Sequence, residues 1–139
     1  MRVLVIDGQG GKMGAMLVER IKSSDIGCEL IAVGTNSIAT AAMMKAGADA
    51  GATGENPVVI GVRDADVIIG PVGIIAADSL LGEITPKMAV AIGSSKAKKL
   101  LLPVNLCNKV IVGTGTVSMA KLINEAVEEL INLQKHFTR

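Results

Sequence analysis

The first fourteen residues constrain the fold of this chain more than any other part of it. An apolar run over residues 2–6 passes directly into glycines spaced three apart, Gly8, Gly11 and Gly14. Such a run is typical of a strand buried on both faces, and closely spaced glycines let the backbone turn sharply into a helix. Because a helix that begins in this way presents bare N–H groups at its N-terminus, the junction predicts a phosphate site in a nucleotide-binding fold.

Each glycine of this loop has a separate expected role. Gly8 would make the turn, Gly11 would let a pyrophosphate approach, and Gly14 would allow the helix to pack against the strand. Lys12 is either a charge for a phosphate or a solvated lysine of the first helical turn. The expected cofactor contacts in the loop are Gly8, Gln9, Gly10, Gly11, Lys12, Met13 and Gly14.

Asp7 places a carboxylate at the mouth of this phosphate site. Pointing inward, it would repel a pyrophosphate. We expect it instead to accept hydrogen bonds from the loop amides, as in an Asx turn or a cap. The alternative is a metal-bridged phosphate.

Apolar runs that end in glycine recur along the chain and alternate with helix-like segments. The strands are predicted over residues 2–6, 30–33, 50–52, 66–69, 88–92 and 110–112. The helices are predicted over residues 11–23, 37–47, 56–64, 74–81 and 117–134. This alternation indicates parallel βαβ units.

The fold class predicted from this rhythm is α/β. We expect a Rossmann-like, doubly wound, mainly parallel six-stranded sheet with helices on both faces and the order 3-2-1-4-5-6. All 139 residues would form one nucleotide-binding domain. Residues 94–108 fit two interpretations: a short helix followed by an extended segment, or a short strand over the leucine run before Pro103.

In such a sheet the ligand lies outside the carboxyl ends of the strands. Two further groups of candidate cofactor contacts follow predicted strands at that edge: Thr35, Asn36 and Ser37, and Gly70, Pro71, Val72 and Gly73. The acid that usually holds the ribose after the second strand is missing from the first group. Since small hydroxyl and amide groups can donate to a 2′-phosphate, the sequence favours NADP(H) over NAD(H), although another nucleotide stays open.

The glycine loop resembles the N-terminal loop of dihydrodipicolinate reductases, which reads Gly-x-Gly-Gly-Arg-Met-Gly where this chain has residues 8–14. The resemblance covers about 25 residues and implies binding of a nicotinamide dinucleotide. The resemblance does not imply the reaction that dihydrodipicolinate reductases catalyse, because the His-and-Lys catalytic domain of that family has no counterpart here. Over its full length the sequence resembles a group of small uncharacterised bacterial Rossmann-like proteins, which supports the fold.

Charge and composition exclude several function classes. The net charge is +1 and Phe137 is the only aromatic residue, so neither phosphate neutralisation nor base stacking favours nucleic-acid binding. No apolar run approaches the ~18 residues of a membrane span. Cys28 and Cys107 lack metal-type spacing. With no room for a signal peptide before the first strand, we expect a cytoplasmic protein.

Few residues offer acid–base or nucleophilic chemistry. His136 is the only histidine and lies in the tail, and the absence of tyrosine excludes a Tyr-Lys reductase pair. Cys28 is expected to be inert core, while Cys107 lies in a loop and is a candidate reactive thiol without a histidine to activate it. Thr116 is predicted to cap the last helix. The catalytic residues are therefore unknown, and whether the chain is an enzyme stays open.

The apolar stripe of the last predicted helix is broader than one sheet face requires. Either it packs on the sheet or it forms a shared helix in a homo-oligomer, with a dimer expected. The sequence thus predicts binding of a nucleotide or dinucleotide, with a role as an oxidoreductase or reductase subunit left open. The alternative is a non-catalytic nucleotide-sensing or interaction subunit that acts through this helix. A third hypothesis is an interaction protein that has kept the fold and lost the ligand.

Overall fold

The computed structural model describes residues 1–104, 106 and 108–137. The strands are β1 (Arg2–Asp7), β2 (Glu29–Gly34), β3 (Ala50–Thr53), β4 (Val67–Pro71) and β5 (Lys98–Leu102). The helices are α1 (Lys12–Lys22), α2 (Ser37–Lys45), α3 (Glu55–Asp64), α4 (Pro86–Ser94) and α5 (Met119–Phe137), and a 3₁₀ turn spans Val72–Ile75.

All paired strands are parallel, in the order β3-β2-β1-β4-β5. β1 lies in the centre, where Val3 pairs with Leu30 of β2 on one side and with Val67 of β4 on the other. The chain order reverses between β1 and β4, and this reversal is the point at which doubly wound sheets bind ligands. Every strand ends at the same edge, so the residues after β1, β2 and β4 meet there.

The side chains of β1 alternate between two cores, because successive residues of a strand face opposite sides of the sheet. Val3 and Val5 pack with α1 and α5, whereas Leu4 and Ile6 pack with α3 and α4. α5 contributes Ile123, Ala126, Val127 and Leu130 to the first core. The apolar stripe of α5 therefore packs on the sheet through these four residues, as one of the two interpretations expected. Ile131 and Phe137 of the same helix remain partly exposed.

The expected six strands are wrong: the described residues form a sheet of five. The apolar run 88–92 lies in α4, not in a strand. A continuous apolar run does not by itself distinguish a buried strand from a buried helix. The deciding signal precedes it, since Thr85 caps the helix through the N–H of Met88 and Pro86 occupies the first turn.

The fifth strand is β5, which lies in the segment whose structure the sequence left open and pairs with β4. Its leucines end at Pro103, as the strand interpretation required. The run 110–112, predicted as the sixth strand, is not a strand. Val110 and Val112 are 85% and 93% exposed, respectively.

The helix predicted over 74–81 is wrong as well, because only the 3₁₀ turn forms there. Beyond it, Asp78, Leu80, Leu81 and Gly82 have positive φ angles, and the hydroxyl of Ser79 donates to the carbonyl oxygens of Gly73 and Ala76. This arrangement folds the segment back over the sheet edge and buries Leu80 and Ile84 in the α3–α4 core.

Candidate functional site

Asp7 fixes the conformation of the glycine loop from below. Its side chain is only 3% exposed; Oδ1 accepts from the N–H of Gly8 at 2.8 Å and Oδ2 from the N–H of Gly14 at 2.7 Å. Burial raises the pKa of this carboxyl, and the charge of Glu83 adds to the effect, although the two backbone hydrogen bonds oppose it. The expectation that Asp7 accepts hydrogen bonds from loop amides is confirmed.

Two of the loop glycines are required by the neighbouring helix α2. Gly11 has a φ of 71°, and a Cβ there would lie 2.7 Å from the Cα of Ala39. A Cβ on Gly14 would lie 2.6 Å from the Sδ of Met43 and 2.8 Å from the Cβ of Asp7. The close packing expected at Gly14 is therefore present, and it involves α2 as well as β1.

Three N–H groups at the start of α1 have no acceptor within the residues that the structure describes: those of Gly10, Lys12 and Met13. The N–H of Gly11, between them, donates to the carbonyl oxygen of Gly8 at 2.9 Å. Gly10 and Lys12 are exposed. The positive end of the helix dipole and unpaired N–H groups together favour an anion at this position.

Glu83 lies beside this loop, and no pattern in the sequence pointed to it. Its Oε1 accepts from the N–H of Gln9 at 2.7 Å, from the amide of Asn36 at 3.1 Å and from the hydroxyl of Thr35. Burial acts to raise the pKa of this carboxyl, but the hydrogen bonds from Thr35, Gln9 and Asn36 hold it below its usual value. The side chain is therefore an ionised carboxylate at neutral pH.

Gly8 leaves the room that this carboxylate occupies. A Cβ at position 8 would lie 2.6 Å from the hydroxyl oxygen of Thr35, 2.7 Å from Oε1 of Glu83 and 3.0 Å from a methyl group of Leu80. The glycine expected to make the turn thus also permits three separate segments to converge on it.

The polar residues after β2 are largely committed to contacts within the protein. Asn36 caps α2 by accepting from the N–H of Ala39 at 2.9 Å, and its amide also donates to the carbonyl oxygen of Gln9. Thr35 donates to Glu83. Ser37 is the exposed first residue of α2. The structure therefore brings Thr35 and Asn36 to the glycine loop, with their donors already occupied.

The second predicted group, Gly70 to Gly73, does not face an open groove. Gly70, Pro71 and Gly73 are buried, and a Cβ on Gly70 would collide with the carbonyl oxygen of Ile6. Leu80, 1% exposed, covers the same region from the segment before α4. Tight packing of β4 against β1 accounts for Gly70, and the closeness of Ser79, whose hydroxyl oxygen would lie 3.1 Å from a Cβ on Gly73, accounts for Gly73. Val72 alone of the group is partly exposed.

The other candidate residues that the structure describes do not gather into a reactive centre. Cys28 is half-buried against the α1–α5 core, and burial followed by the charge of Asp49 raises the pKa of its thiol. Cys107 lies outside the described residues. Thr116 does not cap α5, which begins at Met119; Ser118 instead accepts from the N–H of Lys121.

Within the described part of the chain, no group of three His, Cys, Asp or Glu side chains is placed to hold a metal ion. In the same residues no helix has the length and apolar character needed to cross a membrane.

Comparison with known proteins gives a family and a distant structural likeness. Residues 2–135 match the model of the DUF3842 family, described as a domain of unknown function. No curated protein matches the chain. A crystal structure of a dodecameric FMN-dependent UbiX-like decarboxylase from Escherichia coli O157:H7 aligns with 96% of this chain and 93% of its own, at 13% identity and a TM-score of 0.47. A likeness of this size carries no argument about what this chain binds.

Proposed function

The chain belongs to the DUF3842 family, and we propose that it binds a nucleotide or dinucleotide through a phosphate group on the N–H groups of Gly10, Lys12 and Met13. These three unpaired donors at the start of α1 are the observation that carries the proposal. The ammonium group of Lys12, which forms no ion pair among the described residues, would add a positive charge on the same side.

The side chains around the loop offer few groups for chemistry on a bound nucleotide. Both oxygens of Asp7 are bound to backbone N–H groups, and Oε1 of Glu83 accepts three hydrogen bonds, so Oε2 of Glu83 is the one carboxylate oxygen of these two side chains without a partner among the described residues. A general acid or base needs a proton site free to reach the substrate. This scarcity favours a second candidate function, a nucleotide-sensing subunit without catalysis. An oxidoreductase remains compatible, because hydride transfer needs little beyond correct placement of the cofactor.

The preference for NADP(H) among dinucleotides depended on free donors after β2 and on the absence of an acid there. In the structure the donors of Thr35 and Asn36 are bound to a carboxylate. NADH and NADPH must therefore be titrated as a pair, beside ADP, FMN and coenzyme A, by isothermal calorimetry. If none binds at millimolar concentration, the proposal is wrong.

The binding position is tested by Gly10→Asp with Gly93→Asp as its matched control. At either glycine a Cβ would meet no atom of the described residues within 4 Å, and neither has a positive φ, so both variants are expected to fold. An added carboxylate at position 10 would lie at the proposed phosphate site and should weaken nucleotide binding at least about tenfold through charge repulsion. Gly93 lies in α4, and its variant should bind like the wild type.

A further inference from the structure

The carboxylate of Glu83 lies beside the end of β2, although it belongs to the segment before α4. In dinucleotide-binding sheets, an acid that follows the second strand accepts a hydrogen bond from the ribose 2′-hydroxyl. Here β2 ends at Gly34 and is followed by Thr35 and Asn36, both of which donate to Glu83. The two residues after the strand thus hold in place a carboxylate that they do not themselves supply.

One oxygen of this carboxylate remains available. Oε1 accepts all three hydrogen bonds, whereas Oε2 has none among the described residues. The N–H of Gln9 binds the same side chain, so the carboxylate stands next to the unpaired donors of Gly10 and Lys12. An ionised carboxylate only accepts hydrogen bonds, so a hydroxyl group placed against Oε2 matches it, whereas a phosphate placed against the same atom is repelled. The phosphate proposed for the loop is held instead by the N–H groups of Gly10, Lys12 and Met13.

Resting on the nucleotide site proposed above, we propose that Glu83 determines its specificity: Oε2 accepts hydrogen bonds from the ribose hydroxyls, and its charge disfavours a 2′-phosphate. The ligand class is therefore a ribonucleotide with a free 2′,3′-diol, such as ADP or NAD(H), and not NADP(H). This reverses the preference inferred from the sequence, because the acid missing after β2 is supplied from residue 83.

The first test uses the unmodified protein, so it does not depend on a variant that folds. ADP and 2′-deoxy-ADP, and AMP and adenosine 2′,5′-diphosphate, are titrated as two matched pairs by calorimetry, and NADH and NADPH by fluorescence. Loss of a hydroxyl that donates to a charged acceptor should weaken binding about tenfold or more. Adenosine 2′,5′-diphosphate should bind more weakly than AMP, and NADPH more weakly than NADH, and both differences should shrink at high salt.

The second test replaces the charge and keeps the shape. In Glu83→Gln the side-chain oxygen can still accept from Gln9, Thr35 and Asn36, while the amide nitrogen cannot accept from a ribose. The variant should lose about tenfold in affinity for NADH and discriminate little between NADH and NADPH. Glu128→Gln, which removes the same charge from an exposed position on α5, should leave both affinities unchanged.

Results that contradict the role of Glu83 can be told apart from results that contradict nucleotide binding itself. If Glu83→Gln binds both dinucleotides more tightly than the wild type, the carboxylate competes with the ligand for the loop, and the specificity role is refuted while nucleotide binding stands. Equal binding of ADP and 2′-deoxy-ADP, or of NADH and NADPH, refutes the same role and again leaves the binding function. If neither protein binds any nucleotide, the binding function fails, and the role of Glu83 fails with it.

Discussion

Replacing Gly11 by alanine should destabilise the protein through a clash between two helices. Gly11 has a φ of 71°, and a left-handed backbone costs an L residue with a side chain about 1–2 kcal/mol. The added Cβ would lie 2.7 Å from the Cα and 2.8 Å from the carbonyl oxygen of Ala39. These atoms belong to the backbone of α2 and cannot rotate away, so the helices must separate, which costs about 1–3 kcal/mol in overpacked interiors.

The two contributions together predict that Gly11→Ala lowers the free energy of unfolding by roughly 2–5 kcal/mol. Urea-induced unfolding followed by circular dichroism measures this change. The adjacent Gly10→Ala is the control, because among the residues that the structure describes a Cβ there meets no atom within 4 Å, and the φ is not positive. It should be neutral or stabilise the fold by up to about 1 kcal/mol, through a less flexible unfolded chain.

The interpretation of the turn would be refuted if the two variants unfolded at the same urea concentration. In that case the close approach of α1 and α2 at Gly11 would not limit the side chain, and the glycine spacing would have to be explained by ligand binding alone. A loss confined to Gly11→Ala supports a structural requirement for this glycine, independent of any ligand.

Three further predictions concern other contacts. Hydrogen bonds hold the pKa of Glu83 below its usual value. The wild type should therefore be more stable than Glu83→Gln at neutral pH, and this advantage should vanish as the pH falls through the folded-state pKa of Glu83. Urea unfolding of both proteins across the acid pH range measures the difference. Leu80→Ala truncates a buried side chain and should lower the free energy of unfolding by about 2–4 kcal/mol. Leu81 is 91% exposed, so Leu81→Ala should change thermal stability little. Equal effects of the two variants would show that the segment before α4 is not packed as described. Thr85→Ala removes the cap of α4 and should lower the free energy of unfolding by about 1 kcal/mol. Thr116 caps none of the described helices, so Thr116→Ala should leave the stability unchanged. The reverse order of melting temperatures would contradict the assignment of both helix starts.

The opening of the chain was predictable because its signals are local. The strand predicted over 2–6 and the helix predicted over 11–23 correspond to β1 at Arg2–Asp7 and α1 at Lys12–Lys22. Patterns in adjacent residues indicate buried strands and glycine turns, and they also indicated the role of Asp7, whose side-chain hydrogen bonds reach no farther than Gly14. The local sequence was therefore enough to predict both the glycine turn and the Asp7 carboxylate that accepts hydrogen bonds from its N–H groups.

The errors arose where the deciding contact is distant or the pattern ambiguous. The apolar run 88–92 suits a buried strand and a buried helix equally, and its cap at Thr85 was the signal that could have separated them. Glu83 could not be found in this way. Its three donors, Gln9, Thr35 and Asn36, are 74, 48 and 47 residues away in the chain, respectively.

Thr35, Leu80 and Glu83 all lie against Gly8. This contact limits which combinations of residues the homologues of this chain can have at these positions. A homologue with a larger residue at position 8 has no room for the acid at 83 in its present rotamer. Conversely, a homologue that lacks the acid is released from the requirement for glycine there, and its hydroxyl at 35 loses its acceptor. The identities at positions 8, 35 and 83 should therefore change together across an alignment, whereas the identity at position 93, where a Cβ would meet no described atom within 4 Å, should vary independently of them.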